Sequence, residues 1–232
     1  MPTTKKEMTQ LGTERLQKQK TFYRGYFIGR GMFQSIRAME IAMECHTNLR
    51  KDGYPEVSHQ FEIVGMILQV FEGRVTAKIL DCLVAAGFLH DVPEDYAQKY
   101  GLADIRNSFA VMTANIVALV TKPDDFKKNH EYRQKYYGGV LSDIYAVFIK
   151  CIDRIHNLQS MVAGFSHEKQ LDYIEETETY FYPMIKRARM AHPEHYTVLT
   201  LLKQQMEMII RLCQYNIPKE LTAVPMSEVA SQ

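Results

Sequence analysis

From Thr76 to Leu89 the chain is apolar almost all round, with Ile79, Leu80, Leu83, Val84, Phe88 and Leu89 leaving no wide polar face. A helix of that kind is stable only when other elements enclose it. The segment therefore predicts a central helix, opened by Thr76. Pro93 ends it near His90-Asp91, because proline lacks an N–H and its ring clashes with the preceding turn. On this reading the His90 and Asp91 side chains stand at an exposed rim.

The rest of the chain supplies the wrapping. Met32, Phe33, Ile36, Met39, Ile41 and Met43 recur at mostly three- and four-residue steps, which predicts a helix over Phe27–Leu49. It stops before the Gly/Pro turn at Lys51-Asp52-Gly53-Tyr54-Pro55. Ser58 is placed to cap a helix running to about Phe71, with Glu62 one residue beyond the ideal capping-box position. Further helices are expected at Phe109–Val120, Lys127–Tyr137, Ser142–Met161, Glu168–Met190 and His195–Tyr215. Ala110–Val120 tolerates a strand, but nothing else in the chain offers a partner strand. The expected fold is all-α, a helical bundle in one domain. Residues 1–25 read as a polar arm or frayed helix, 26–216 as the folded domain and 217–232 as a disordered tail.

At 232 residues the chain can bury a substantial core without disulfides or structural metal. A net charge of +1 gives no broad electrostatic footprint for nucleic acid, so no nucleic-acid partner is expected. No apolar run reaches the roughly 18 residues needed to span a bilayer, and the polar first 20 residues are not a secretory leader. The expected location is the cytoplasm, away from membranes. Cys45, Cys82, Cys151 and Cys213 are widely spaced among apolar neighbours and read as buried reduced thiols.

The candidate chemistry begins at His90-Asp91. Adjacent helical residues point about 100° apart, so the pair can meet one ion only beyond a helix end, which Pro93 supplies. His59 lies one helix earlier, beside the Gly/Pro turn. Asp153 interrupts the apolar helix Ile149-Lys150-Cys151-Ile152-Asp153-Arg154-Ile155-His156-Asn157-Leu158, where an acid is costly unless paired or metal-bound. Two imidazoles and two carboxylates favour manganese, iron or zinc over calcium or magnesium. Glu94 falls four residues after His90, so it can stand beside such an ion without ligating it and serve as a base; its bland reading is a solvated charge after a helix stop. His192 and His195 read as a helix start at Pro193. His156 reads as packing or as a neighbour of the ligands. Lys122, Lys127, Lys128, Arg133 and Lys135 read first as a solvated face, second as a phosphate grip.

Five motifs in order then resemble one family. Arg50-Lys51-Asp52-Gly53-Tyr54-Pro55 with His59 is similar to RKxGxPxxxH, and Ala85 to Asp95 to AAxLHDxxED. Leu119-Val120-Thr121-Lys122 resembles a VTK motif, and Ile149 to Asn157 resembles IKxxDRxHN. Glu176-Thr177 with Tyr180, Tyr182 and Pro183 resembles a closing ET…YxP. Over about residues 28–190 the chain resembles the HD-domain superfamily, and specifically the hydrolase domain of the Rel-type alarmone enzymes and their small stand-alone relatives. One departure is Gln60, where the family often has proline.

The resemblance implies a manganese ion held by His59, His90, Asp91 and Asp153. It implies that Glu94 and Asp95 position and deprotonate the attacking water. Arg50 and Lys51 would face the purine and its phosphates, although both also read as a basic helix C-terminus. Asn157 and Ser160 would contact the nucleoside. The implied reaction removes pyrophosphate from the 3′ position of guanosine tetra- or pentaphosphate. Two alternatives stand beside it: phosphate removal from another nucleotide (NADPH, an adenosine alarmone, a nucleoside monophosphate), and a module that senses a nucleotide without turnover. Synthesis of the alarmone is not expected, and no feature of the sequence fixes an oligomeric state.

Overall fold

The structure, a computed structural model, describes residues 4–51 and 53–216; the expected disordered tail lies outside them. Among the described residues it is all-helical, with one isolated antiparallel bridge between Leu49 and Pro55. The helices are α1 (Lys5–Arg30), α2 (Phe33–Cys45), α3 (Ser58–Phe71), α4 (Ala77–Leu89), the single turn α5 (Val92–Asp95) and α6 (Leu102–Ser108). After them come α7 (Val111–Val120), α8 (His130–Val140), α9 (Ile144–Gly164), α10 (His167–Glu176), α11 (Tyr182–Ala191) and α12 (Tyr196–Asn216).

As its composition requires, α4 is enclosed: Leu83, Val84, Ala85, Ala86, Phe88 and Leu89 have no accessible surface. It packs on α2, α3, α7 and α9. Thr76 caps it by accepting from the Ile79 amide at 3.3 Å. Asp81, its one acidic residue, caps the neighbouring α2 by accepting from the amides of Ser35 (2.8 Å) and Gln34 (3.3 Å). Gly87 is the point where α3 presses closest, since a Cβ there would stand 2.4 Å from Ile67 Cδ1.

The polar opening segment is a helix. Thr4 and Glu7 form a capping box at the start of α1. Near its other end Tyr23 and Phe27 enter the core. The expected helix over 27–49 is in fact broken. Gly31, at φ +68°, ends α1 in the left-handed conformation that glycine adopts without strain, and the Met32 amide donates back to the Phe27 carbonyl at 2.9 Å. The second helix then ends at Cys45, four residues before Leu49. Ser58 does not cap α3; the buried Val57 holds the cap position, with no side-chain hydrogen bond there. Glu62 instead pairs with Arg15 of α1 at 2.8 Å.

The expected helix over 168–190 is also interrupted. Residues Thr177–Phe181 form a π turn between α10 and α11, and Pro183 falls in the first turn of α11. Without an N–H, Pro183 cannot continue an α-ladder, and the wider turn accommodates it. Pro193 opens a short 3-10 turn before α12, in keeping with a helix start there. The short helices α5 and α6 were not foreseen. All four cysteines are buried and free.

The tight approach at Gly87 is testable. Gly87→Ala should destabilise the fold by about 1–3 kcal/mol, the usual cost of overpacking. Gly25 lies exposed on α1, with nothing within 4 Å of a Cβ position. Gly25→Ala should stabilise by up to about 1 kcal/mol through helix propensity. Urea unfolding of both variants gives the comparison, and equal midpoints would contradict the packing described.

Candidate metal centre

Three helices bring the four candidate ligands together. His59 sits in the first turn of α3, His90 at the end of α4, and Asp153 midway along α9. Asp91 (φ −98°, ψ −13°) lies between the end of α4 at Leu89 and the start of α5 at Val92, so the two adjacent residues converge beyond the helix end. The expected exposed rim is wrong. His90 is 1% exposed, His59 5% and Asp153 6%. The enclosed bundle around the end of α4 turns the ligands inward, and only Asp91 is partly open.

The donor atoms all lie within 4.8 Å of one another. His90 Nε2 is 2.9 Å from Asp91 Oδ2, 3.3 Å from His59 Nε2 and 3.7 Å from Asp153 Oδ1. His59 Nε2 is 3.4 Å from both carboxylates. With bonds of about 2.1 Å, ligand edges are about 3.0 Å in an octahedron and about 3.4 Å in a tetrahedron. The set therefore fits a small divalent cation.

Neighbouring groups orient the ligands and set their charge. His90 Nδ1 donates to the Gly87 carbonyl at 2.8 Å, leaving Nε2 free to ligate. His59 Nδ1 meets His156 Nδ1 at 2.8 Å. Asp153 accepts from Lys150 Nζ (3.1 Å) and from Asn157 Nδ2 (2.5 Å). Burial alone would raise the carboxyl of Asp153, but the Lys150 ammonium and the two imidazoles hold it well below the usual range. Lys150 is itself buried. Desolvation would lower its pKa, yet Tyr136, Asp153, Glu94 and Asp91 together hold it well above the ordinary lysine value. Burial likewise opposes charge on His90, and Asp91 and Asp153 outweigh it, lifting His90 to about 10.

Glu94 and Asp95 lie on α5, beside the ligands. Glu94 accepts from the Lys122 amide at 2.6 Å and from Lys122 Nζ at 3.2 Å. It is thus a held carboxylate, not a solvated one. Asp95 is exposed and has no such cation against it. Desolvation, with Asp91, Glu94 and Glu56 nearby, pushes it up to about 6.

Of the expected substrate contacts, Arg50, Ser160 and Asn157 form one chain. Arg50 Nη2 donates to Ser160 Oγ at 3.1 Å, Ser160 Oγ donates to the Asn157 carbonyl at 3.2 Å, and Asn157 holds Asp153. Arg50 and Lys51 do not end a helix, because α2 stops at Cys45 and both lie in the bridged loop before α3. Lys51 is exposed beside Gly164, at the far end of α9.

On the open side of the ligands is a cleft of about 590 Å³ lined by Glu94, Asp95, Lys122, Lys127, Lys150, Asp153, Asn157, Lys169 and Tyr173. Two lysines of the presumed solvated face, Lys122 and Lys127, therefore border the site. Sequence reasoning missed Lys150, Lys169 and Tyr173; only Lys150, three residues before Asp153 on an apolar helix, carried a signal. A larger cavity of about 650 Å³, between α8 and α11, contains none of the ligands. His192 and His195 stand apart, with His192 paired to Glu194.

The HD domain family model matches residues 38–190, about two thirds of the chain. The chain belongs to the HD-domain family. Divalent-metal binding goes with that membership, and His59, His90, Asp91 and Asp153 form a cluster that could hold the ion. Among curated relatives, a probable guanosine-3′,5′-bis(diphosphate) 3′-pyrophosphohydrolase of Synechocystis is 30% identical over 65% of this chain and 20% of its own length. A GTP pyrophosphokinase of Streptomyces coelicolor is 30% identical over 84% of this chain and 23% of its own length. The HD-domain chain thus spans about a fifth of the relatives it matches. A solved structure described as a metazoan ortholog of SpoT that hydrolyzes ppGpp aligns with TM-score 0.54 and 20% identity, over 77% of this chain and 94% of that one. That likeness supports the fold.

Because His90 is raised to about 10 in the metal-free site, it is protonated at pH 7 and must lose its proton to ligate. Binding of a divalent cation at pH 7 should release about one proton per chain. Calorimetric titrations in buffers of different ionisation enthalpy measure this directly. A binding enthalpy that does not change with buffer would show that His90 is already neutral.

Proposed function

We propose that the protein is a metal-dependent phosphohydrolase that removes pyrophosphate from the 3′ position of guanosine tetra- or pentaphosphate, leaving GDP or GTP. The observation that carries this reading is the acid pair Glu94-Asp95 set between a four-donor metal cluster and a lysine-lined cleft. A pure sensing module has no need of that pair. The names of the relatives support the guanosine substrate. The mixed nitrogen and oxygen donors suit manganese. We place the activity in the cytoplasm, on a small nucleotide, with neither nucleic acid nor membrane as partner.

A divalent cation at His59, His90, Asp91 and Asp153 would supply Lewis acidity to a phosphate oxygen and acidify a nearby water. The protein's own groups account for the rest. Lys122, Lys127 and Lys169 bring positive charge to the cleft where the 3′-pyrophosphate must lie. Arg50 presents a planar guanidinium suited to stacking on a purine, held in place through Ser160. Glu94, fixed by Lys122, keeps α5 in position against the loop after α7. Asp95, unpaired and elevated, takes the proton of the attacking water. The water oxygen bonds to the phosphorus attached to O3′, the bond from that phosphorus to O3′ breaks, O3′ takes a proton from solvent to leave as the ribose hydroxyl, and Asp95 returns its proton to solvent.

The test is product analysis. The full chain, loaded with manganese, is incubated separately with guanosine tetraphosphate, guanosine pentaphosphate, NADPH, an adenosine alarmone, GTP and a deoxynucleoside monophosphate. Guanosine tetraphosphate should yield GDP and pyrophosphate, and GTP should remain intact. If GTP or the monophosphate is the best substrate, the alarmone reading fails.

Asp95→Asn should retain metal and lose turnover by about 100-fold or more, the scale of a missing general base. The base must be deprotonated, so activity falls as pH drops through its pKa. With a cation lowering the value of about 6, the acid limb should centre at or below pH 6. A limb centred above pH 7 would point to a different base.

A further inference from the structure

One contact beside the metal ligands is chemically unusual. A ligating histidine ordinarily donates its second N–H to a carboxylate or a backbone carbonyl, as His90 does to Gly87. His59 instead meets a second imidazole, its Nδ1 standing 2.8 Å from Nδ1 of His156. Two nitrogens at that distance share one proton, so one ring donates and the other accepts.

Ligation decides which. With Nε2 of His59 committed to a cation, its only proton lies on Nδ1. His156 must then accept through a bare Nδ1, and its own proton is forced onto Nε2.

Nε2 of His156 has no hydrogen-bond partner among the described residues. The ring lines a cavity of about 230 Å³, on whose wall Arg50, Tyr54, Gln159 and Ser160 also stand. We propose that His156 is a positioning residue with two faces: its Nδ1 orients His59 for the cation, and its Nε2–H, fixed by that bond, is a hydrogen-bond donor to a nucleotide seated in the cavity beside Arg50. Cation occupancy thereby sets the tautomer of a substrate contact. A neutral acceptor also adds no negative charge to His59, which leaves a bound cation more electrophilic than a carboxylate partner would.

The first face is independent of the substrate; the second rests on the hydrolase reading above. Two amide substitutions separate them. In His156→Asn the amide carbonyl can stand where Nδ1 was and accept from His59, with nothing in the place of Nε2. In His156→Gln the longer side chain can return a donor N–H to the Nε2 position without the acceptor at Nδ1. His156→Ala removes both.

Calorimetric titration of each full-length variant with manganese chloride, and with zinc chloride, reads the first face. The alanine and glutamine variants should bind metal about 10- to 100-fold more weakly, and the asparagine variant close to wild type. Steady-state kinetics at saturating manganese, on the best substrate from the nucleotide panel, reads the second. KM should rise in the alanine and asparagine variants and recover in the glutamine variant. In zinc-loaded protein, the ¹⁵N spectrum should show His156 protonated at Nε2 alone. Circular dichroism confirms that each variant is folded. Wild-type metal affinity in folded His156→Ala, or a proton on Nδ1 of His156 in the zinc form, overturns the proposal. If metal affinity splits as expected while no nucleotide is hydrolysed, the orienting role stands, and it is the hydrolase reading that fails.

Discussion

The enclosure of α4 and its stop at Leu89 set the position of every other group in the site. Because α4 is buried on all sides from Cys82 to Leu89, its final residue cannot turn to solvent, and His90 ends inside the bundle with Nδ1 tied to the turn before it. The neighbours of α4 then become the sources of the remaining ligands. α3 approaches through the missing side chain of Gly87 and delivers His59; α9 packs on α3, α4 and α7 and delivers Asp153. An unpaired carboxylate in that interior would cost several kcal/mol. Lys150 and Asn157 offset that cost, so a polar knot persists within an apolar bundle.

A second polar contact, next along α9, shapes the cleft. Arg154 pairs with Glu176 at 2.8 Å and lies over the rings of Tyr173 and Phe181. Tyr137 of α8 donates to the other oxygen of Glu176 at 2.8 Å. α8, α10 and the π turn are thereby fastened to the helix that bears Asp153. This anchoring places Lys169 and Tyr173 on the cleft wall, which Lys122 and Lys127 also line. The residues following Asp153 in the sequence thus build one wall of the cleft, although Arg154 itself is engaged in structure.

Much of this was legible in the sequence, and the failures have physical causes. Periodicity located the main helices, because an apolar stripe at three- and four-residue steps has few other uses. It could not see the break at Gly31, since glycine within an apolar pattern is tolerated until the chain needs a left-handed residue. Nor did it show that Pro183 would be met by a π turn instead of a helix end. Ser58 has the chemistry of a cap, but packing placed Val57 there and left Ser58 inside the helix. The rim assigned to His90-Asp91 was wrong because helix length says where a helix stops, not what surrounds the stop. The four donors were readable as residue types. The contacts that hold the site together were not: Glu94 with Lys122 spans 28 residues and His59 with His156 spans 97.

Charge explains why the lysines around the cleft matter. The chain as a whole carries a formal net charge of only +1, too little to draw a polyphosphate from a distance. Attraction must arise locally. Without a cation, Asp91 and Asp153 are balanced by Lys150 and by a protonated His90, and the cluster is close to neutral. A divalent cation adds two positive charges but displaces the His90 proton, so the cluster gains only one. That single charge, close to Glu94 and Asp95, would be a weak hold on the pyrophosphate group of the proposed substrate. Lys122 is partly engaged by Glu94 and Lys169 lies over the Phe165 ring, but neither Lys127 nor Lys169 is in an ion pair among the described residues. On the proposed function, the cluster would supply the chemistry, and binding strength would come from residues of the cleft wall that no ligand motif contains.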